Sequence, residues 1–164
     1  MKHALVLFSS PHKDGHTKKL LEAFLDGLKG KDWQIKSLDI CKVNIHPCIA
    51  CGYCQKADGC AFRDLDEFDR DLRACDLLVI ATPVYNLSFP AQLKAVIDRF
   101  YANNEALMGK KKVVFLTAMA DEDQKTASGA NALFDLMADY LGWEIVGRLN
   151  VGGCSTADDL HEED

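Results

Sequence analysis

The stretch ALVLFSSPHKDGHT, residues 4–17, passes from five apolar residues straight into a loop of hydroxyls, basic side chains and one glycine. A short apolar run that ends in turn residues is the pattern of a strand buried on both faces of a parallel sheet. The same change from apolar to loop recurs at LLVIATPVYN, residues 77–86, and residues 112–118 carry a third central strand. Between these runs lie helical stretches. Residues 15–28 place Leu20, Leu21, Phe24, Leu25 and Leu28 on one face and stop at Gly30. Residues 65–74, 90–101 (opened by Pro90) and 127–141 (stopped by Gly142) read the same way. Residues 33–40 alternate like a strand nearer an edge, and residues 143–151 form the last strand.

Five strands alternating with four helices predict an α/β fold, a three-layer sandwich around a five-stranded parallel sheet with right-handed crossovers. The flavodoxin-like order 2-1-3-4-5 is one of two common ways to wind it, and it places the ligand site where the winding reverses. That site lies between the loops after the first and third strands, so those loops are expected to carry the chemistry.

Bulk properties narrow the function classes. The 164 residues fit one domain over 1–164, with a cysteine-rich loop at 41–63. A net charge of −6 without a long basic run argues against a nucleic-acid footprint. The apolar start is too short for a signal peptide, and no apolar run reaches membrane-spanning length, so a cytoplasmic protein with no membrane partner is expected.

The first loop supplies the hydroxyls of Ser9, Ser10 and Thr17 ahead of a helix N-terminus, and His12, Lys13 and His16 add hydrogen bonds or charge. Aligned N–H groups and the helix dipole suit a terminal phosphate, while an ordinary Ser/Thr helix cap would use the same residue types. The loop contains neither a dinucleotide glycine fingerprint nor the GK[ST] of a nucleotidase P-loop. It also has no C-x5-R phosphate loop of the kind a cysteine phosphatase would need. In the second loop, Tyr85 offers a ring face and the backbone of residues 84–86 offers N–H groups, which suit a flat, partly polar heterocycle.

Residues 10–17, SPHKDGHT, resemble the S-P-[RH]-x-x-G-[NH]-T pattern of flavodoxin-like NAD(P)H-dependent FMN reductases. The run TPVYNLSFPAQLKAVIDRF, residues 82–100, is similar to the same family's [ST]-P-V-Y-x-x-x-x-x-A-x-L-K-x-x-[IL]-D-R segment. The resemblance covers roughly residues 2–101. It implies phosphate contacts from Ser10, His12, Gly15, His16 and Thr17, and flavin-ring contacts from Pro83, Val84, Tyr85 and Asn86. It also implies a third contact loop at Thr117, Ala118 and Met119. His12 and His16 stand where the family often has arginine and asparagine, so phosphate affinity is expected to respond to pH. Asp98 and Arg99 belong to the motif but lie on a helix, and read as a structural ion pair.

Seven cysteines remain. Cys48, Cys51, Cys54 and Cys60 form a C-x2-C-x2-C-x5-C run, whose spacing suits one face of an iron–sulfur cubane plus a fourth ligand. Zinc more often takes two separated C-x2-C knuckles. The run resembles the motif of iron–sulfur flavoproteins, a branch of the same family, and also that of relatives that keep the cysteines without a cluster. A [4Fe–4S] cluster and redox thiols or disulfides both stay open. The loop leaves the second strand at the carboxyl edge, which predicts a position beside the flavin. Cys41, Cys75 and Cys154 are expected to be buried apolar residues.

Together these readings predict an FMN-dependent oxidoreductase that passes electrons from NAD(P)H or a low-potential donor to a small-molecule or protein acceptor. Flavin chemistry needs no general base, and none is assigned. A flavodoxin-type carrier, or a flavin-binding redox sensor without turnover, would share these residues. The tail from residue 152 is short and acidic, a frayed helix from Thr156 or a bare edge. Apolar surface left at the last strand suits a homodimer or homotetramer.

Overall fold

The computed structural model describes residues 1–109 and 111–155, so the expected helix from Thr156 lies outside the described residues. Five parallel strands form one sheet: β1 (Lys2–Phe8), β2 (Trp33–Asp39), β3 (Leu77–Pro83), β4 (Lys112–Ala118) and β5 (Glu144–Val151). They stand in the order β2-β1-β3-β4-β5, the doubly wound arrangement expected from the alternating pattern. Leu7 pairs with Leu38 on one side and Ile80 on the other, and Ile80 pairs with Phe115. The β4–β5 register shifts between Val113 and Val114, which face Ile145 and Gly147.

β3 is buried along its whole length, as a strand covered on both faces must be. On one face Leu5, Leu7, Leu78, Ile80 and Phe115 pack under α2 (Asp66–Ala74), α3 (Ala91–Arg99) and α5 (Ser128–Leu141). Phe115 stacks on Phe134 of α5 with ring centroids 4.5 Å apart. On the other face Val6, Phe8, Val79, Val114 and Leu116 meet Leu21 of α1 (His16–Asp26). The helical run expected over residues 90–101 is shorter than its pattern. α3 ends at Arg99, a 3-10 turn follows, and α4 (Asn104–Leu107) closes the connection. The indole of Trp143 anchors that connection by donating to Leu107 O at 2.7 Å. On β5, Val146 and Leu149 stay exposed at 45% and 42%, the apolar edge surface expected there. Among the described residues no helix is long and apolar enough to cross a membrane.

Candidate functional site

The crevice is built by backbone hydrogen bonds between strand ends. Ser9 N donates to Ala81 O and Val84 N donates to Ala118 O. Met119 N donates to Val151 O, and Cys154 N returns to Met119 O. Side chains tighten the same junctions. Ser9 Oγ donates to Thr82 Oγ1 at 2.7 Å, and Thr82 Oγ1 donates to Pro83 O at 3.1 Å. Ser9 is therefore a weld between the first and second loops, whereas Ser10 faces the crevice.

A cavity of about 650 Å³ opens over these strand ends, within the range of cofactor sites. The first loop lines it with Ser10, His12, Gly15, His16 and Thr17. Pro83, Val84 and Tyr85 come from the second loop, and Ala118 and Met119 from the third. Two predicted contacts fall outside it. The Thr117 side chain is fully buried and donates to Asn150 Oδ1 at 2.7 Å, a bond that joins β4 to β5. Asn86 sits at the tip of a two-residue turn whose flanking Tyr85 and Ser88 pair by two backbone bonds. Asn86 and Leu87 have φ of 47° and 69°, the left-handed geometry of a tight hairpin, and neither lines the cavity. That turn rests on α5 at Gly129, where any Cβ would collide with the Leu87 carbonyl.

The donor set fits an anionic, flat cofactor. Gly15 begins α1 with no side-chain hydrogen bond over the first turn. A Cβ at Gly15 would stand 2.9 Å from His12 Cβ, so glycine lets the loop close around the helix start. Ser10 and Thr17 are buried hydroxyls at that same point. Tyr85 lies at the mouth, 43% exposed; burial pushes its phenol up, and the nearby Cys41 thiol adds to the shift. A fourth loop, residues 152–155, brings Cys154 and Ser155 into the cavity wall. The pair Gly152-Gly153 at the end of the last strand is the signal for it. A Cβ at Gly152 would come within 2.6 Å of Asp121 O.

The lone cysteines divide differently from the expectation. Cys75 is buried, but Cys41 is exposed and Cys154 is half-buried in the crevice wall. Burial at the strand start explains Cys75, while the other two follow strand ends, where the chain turns to solvent. Burial and Asp39 push the Cys41 thiol up, so it is a poor thiolate.

The cysteine loop forms a second cavity, of about 560 Å³, and Cys48, Cys51, Cys54 and Cys60 all line it. No disulfide forms, and among the described residues no three His, Cys, Asp or Glu side chains stand close enough to hold a metal ion. The expected position beside the flavin crevice needs correction. The loop leaves β2 at the carboxyl edge, but its cavity is lined by Asp98, Arg99, Tyr101 and Ala102, beyond the far end of α3. No described residue lines both cavities.

Arg99 draws the loop to that end. Its guanidinium is buried, pairs with Asp64 at 2.7 Å, and donates to His46 O at 3.0 Å and Phe62 O at 2.7 Å. Asp64 also accepts from His46 N at 2.7 Å. Burial opposes ionisation of Asp64, yet the His46 and Arg99 hydrogen bonds outweigh it and hold the carboxyl at about 2. Asp98 pairs with Lys94 instead, so the two motif residues are structural but not partners of each other. Sequence reading missed Asp64 and His46, because nothing in a lone His or Asp signals a buried arginine 53 or 35 residues away.

An α/β sheet wound 2-1-3-4-5 with a phosphate-suited crevice at its reversal defines a flavodoxin-like protein. The model of the NADPH-dependent FMN reductase family matches residues 3–155, and the chain belongs to that family. An iron-sulfur flavoprotein of Archaeoglobus fulgidus is 34% identical over 110 residues, covering 65% of this chain and 50% of that protein. One from Methanosarcina thermophila is 37% identical over 91 residues, covering 55% and 48%. The chain thus spans about half the length of the curated relatives it matches. Among solved structures, the NAD(P)H:quinone oxidoreductase from Methanothermobacter marburgensis superposes with a TM-score of 0.76 at 20% identity. That match covers 96% of this chain and 86% of the other, a likeness of fold.

Proposed function

We propose that this chain is an FMN-dependent NAD(P)H oxidoreductase, a single domain over 1–164 that passes electrons through FMN to a small-molecule or protein acceptor. The observation that carries it is the crevice at the winding reversal, where residues of four separate loops meet beside one helix N-terminus. Relatives described as FMN-dependent NADH:quinone oxidoreductases support the reading, one from Thiobacillus denitrificans at 32% identity over 88 residues.

Bound FMN supplies hydride and single-electron chemistry. Ser10, Thr17 and the first-turn N–H groups of α1 bind its phosphate, whose charge the helix dipole favours, and His12 and His16 assist. Pro83, Val84, Tyr85 and Met119, which line the same cavity, would hold the flavin ring. The four thiols of Cys48, Cys51, Cys54 and Cys60 are the second redox site. Four cysteines match a [4Fe–4S] cluster in kind, although the thiols are not drawn together among the described residues; the names of the iron-sulfur flavoprotein relatives support a cluster, and redox thiols are the other reading. The absence of a disulfide among the described residues favours a reducing compartment, the cytoplasm, and the exposed edge of β5 favours a homodimer or homotetramer.

The test is an absorption spectrum of anaerobically purified protein, before and after NADPH, with turnover on quinone and ferric acceptors. A flavin band bleached by NADPH with steady turnover is expected. Stoichiometric FMN with negligible turnover would make the chain a carrier or sensor, and absence of flavin would end the reading. Iron and labile sulfide on the same sample decide the cluster.

A further inference from the structure

Twenty-two residues, 43–64, join the 3-10 turn after β2 to the approach of α2, with one 3-10 turn among them. Few backbone bonds hold this segment, so its side chains must decide its shape. Arg99 is the hub. It is 2% exposed and grips the segment at both ends, by His46 O on entry and by Phe62 O and Asp64 on exit. Phe62 stacks on the His46 ring with centroids 4.6 Å apart, and the guanidinium carbon stands 5.9 Å from the Phe62 ring. The two ends of the cysteine run are thereby closed on each other.

Two further observations point past a purely structural clamp. Among the described residues that line the cysteine cavity, Arg99 is the one cation. Its Nε is buried without a hydrogen-bond partner among the described residues, a cost the fold keeps although the other guanidinium nitrogens are bonded. Four sulfur ligands carry negative charge when they bind metal, and a cation beside them offsets it. The backbone of the run also holds a defined shape, with Ala50 and Gly52 at φ of 53° and 70°.

We propose that Arg99 is the positioning residue of the cysteine site: it closes the loop through His46, Phe62 and Asp64 and places its charge beside the four thiols. The proposal rests on the reading of Cys48–Cys60 as a redox site, and its test separates the two. Arg99→Lys keeps the charge but cannot make the planar three-way grip. Anaerobically purified, FMN-loaded wild type and variant are compared by hydrogen exchange and by iron and sulfide content. Amides across residues 46–64 should exchange about tenfold faster or more in the variant, with those of β1, β3 and β4 and the FMN content unchanged. Iron and sulfide should fall about tenfold. Loop exchange equal to wild type, or a speed-up shared by the whole core with loss of FMN, would overturn the proposal. If Arg99→Lys does not fold, Asp64→Asn takes its place: it removes one of the three grips and must quicken loop exchange alone. Arg99→Gln tests the charge, since any cluster it retains should have a more negative midpoint potential than in Arg99→Lys, and equal potentials would overturn the electrostatic half. Wild type without iron or sulfide overturns the cluster reading, while loop exchange still decides the role of Arg99.

Discussion

The strand-end crevice and the cysteine cavity are of similar volume, about 650 and 560 Å³, but they are held in different ways. The crevice stands on the carboxyl ends of β1, β3, β4 and β5, and each loop is tied to its neighbour by backbone bonds such as Val84 N to Ala118 O. The cysteine cavity stands on irregular chain, tied to the sheet's helical layer by the side chain of Arg99. A site on strand ends inherits the rigidity of the core, whereas a loop held chiefly by side-chain bonds, those of Arg99 foremost, is as stable as those bonds. The loop should therefore open independently of the crevice.

The strongest way to break that contrast is Asp64→Asn, which leaves the buried Arg99 charge without its partner. Native-state hydrogen exchange should show opening of residues 46–64 made easier by about 3 kcal/mol, with β1, β3 and β4 unchanged and the cysteine loop becoming protease-sensitive first. The pH dependence has a definite sign. The Asp64 carboxyl sits at about 2, below its usual value near 3.8. A depressed carboxylate stabilises the fold above its unfolded pKa and loses that contribution as pH falls through the folded one. Roughly 2 kcal/mol of the gap between wild type and variant should persist above about pH 4 and close as pH drops towards 2.

Gly129→Ala tests the crevice from behind. The new methyl collides with the Leu87 carbonyl, so the Tyr85 turn must move. Thermal unfolding should register a loss of about 2 kcal/mol, and FMN affinity should weaken while the cysteine loop keeps its protease resistance. His12→Glu sharpens the phosphate assignment, because it puts a carboxylate in place of an exposed imidazole on the cavity wall. The FMN dissociation constant should rise about tenfold at low salt, and less at high salt. Equilibrium titration of flavin fluorescence checks it. The smallest effect is expected for Leu87→Gly, which relieves a left-handed residue and should raise stability by about 1 kcal/mol or less in the same thermal assay.

Much of the crevice was legible along the chain because its residues follow apolar strands directly, and the winding rule says where such loops meet. Ser10 to Thr17 and Pro83 to Tyr85 are contiguous with strands whose burial is written in their composition. Thr117 and Asn86 were not resolved in this way. Strand alternation turns Thr117 toward Asn150, and Asn86 stands in a tight turn outside the cavity wall, and both depend on partners remote in sequence. Cys154 escaped notice because a single cysteine after a strand looks the same whether it is packed in the core or lines a crevice.

The sequence by itself determined the alternation of strands and helices, the edge whose loops form the candidate site and the four-cysteine run, because each depends on local period, turn chemistry or spacing. Only the tertiary structure decided where the cysteine run lies. Its destination, beyond the far end of α3 rather than beside the flavin, follows from a buried guanidinium that needs hydrogen-bond acceptors. Arg99 finds them at His46, Phe62 and Asp64, partners that no spacing in the chain announces.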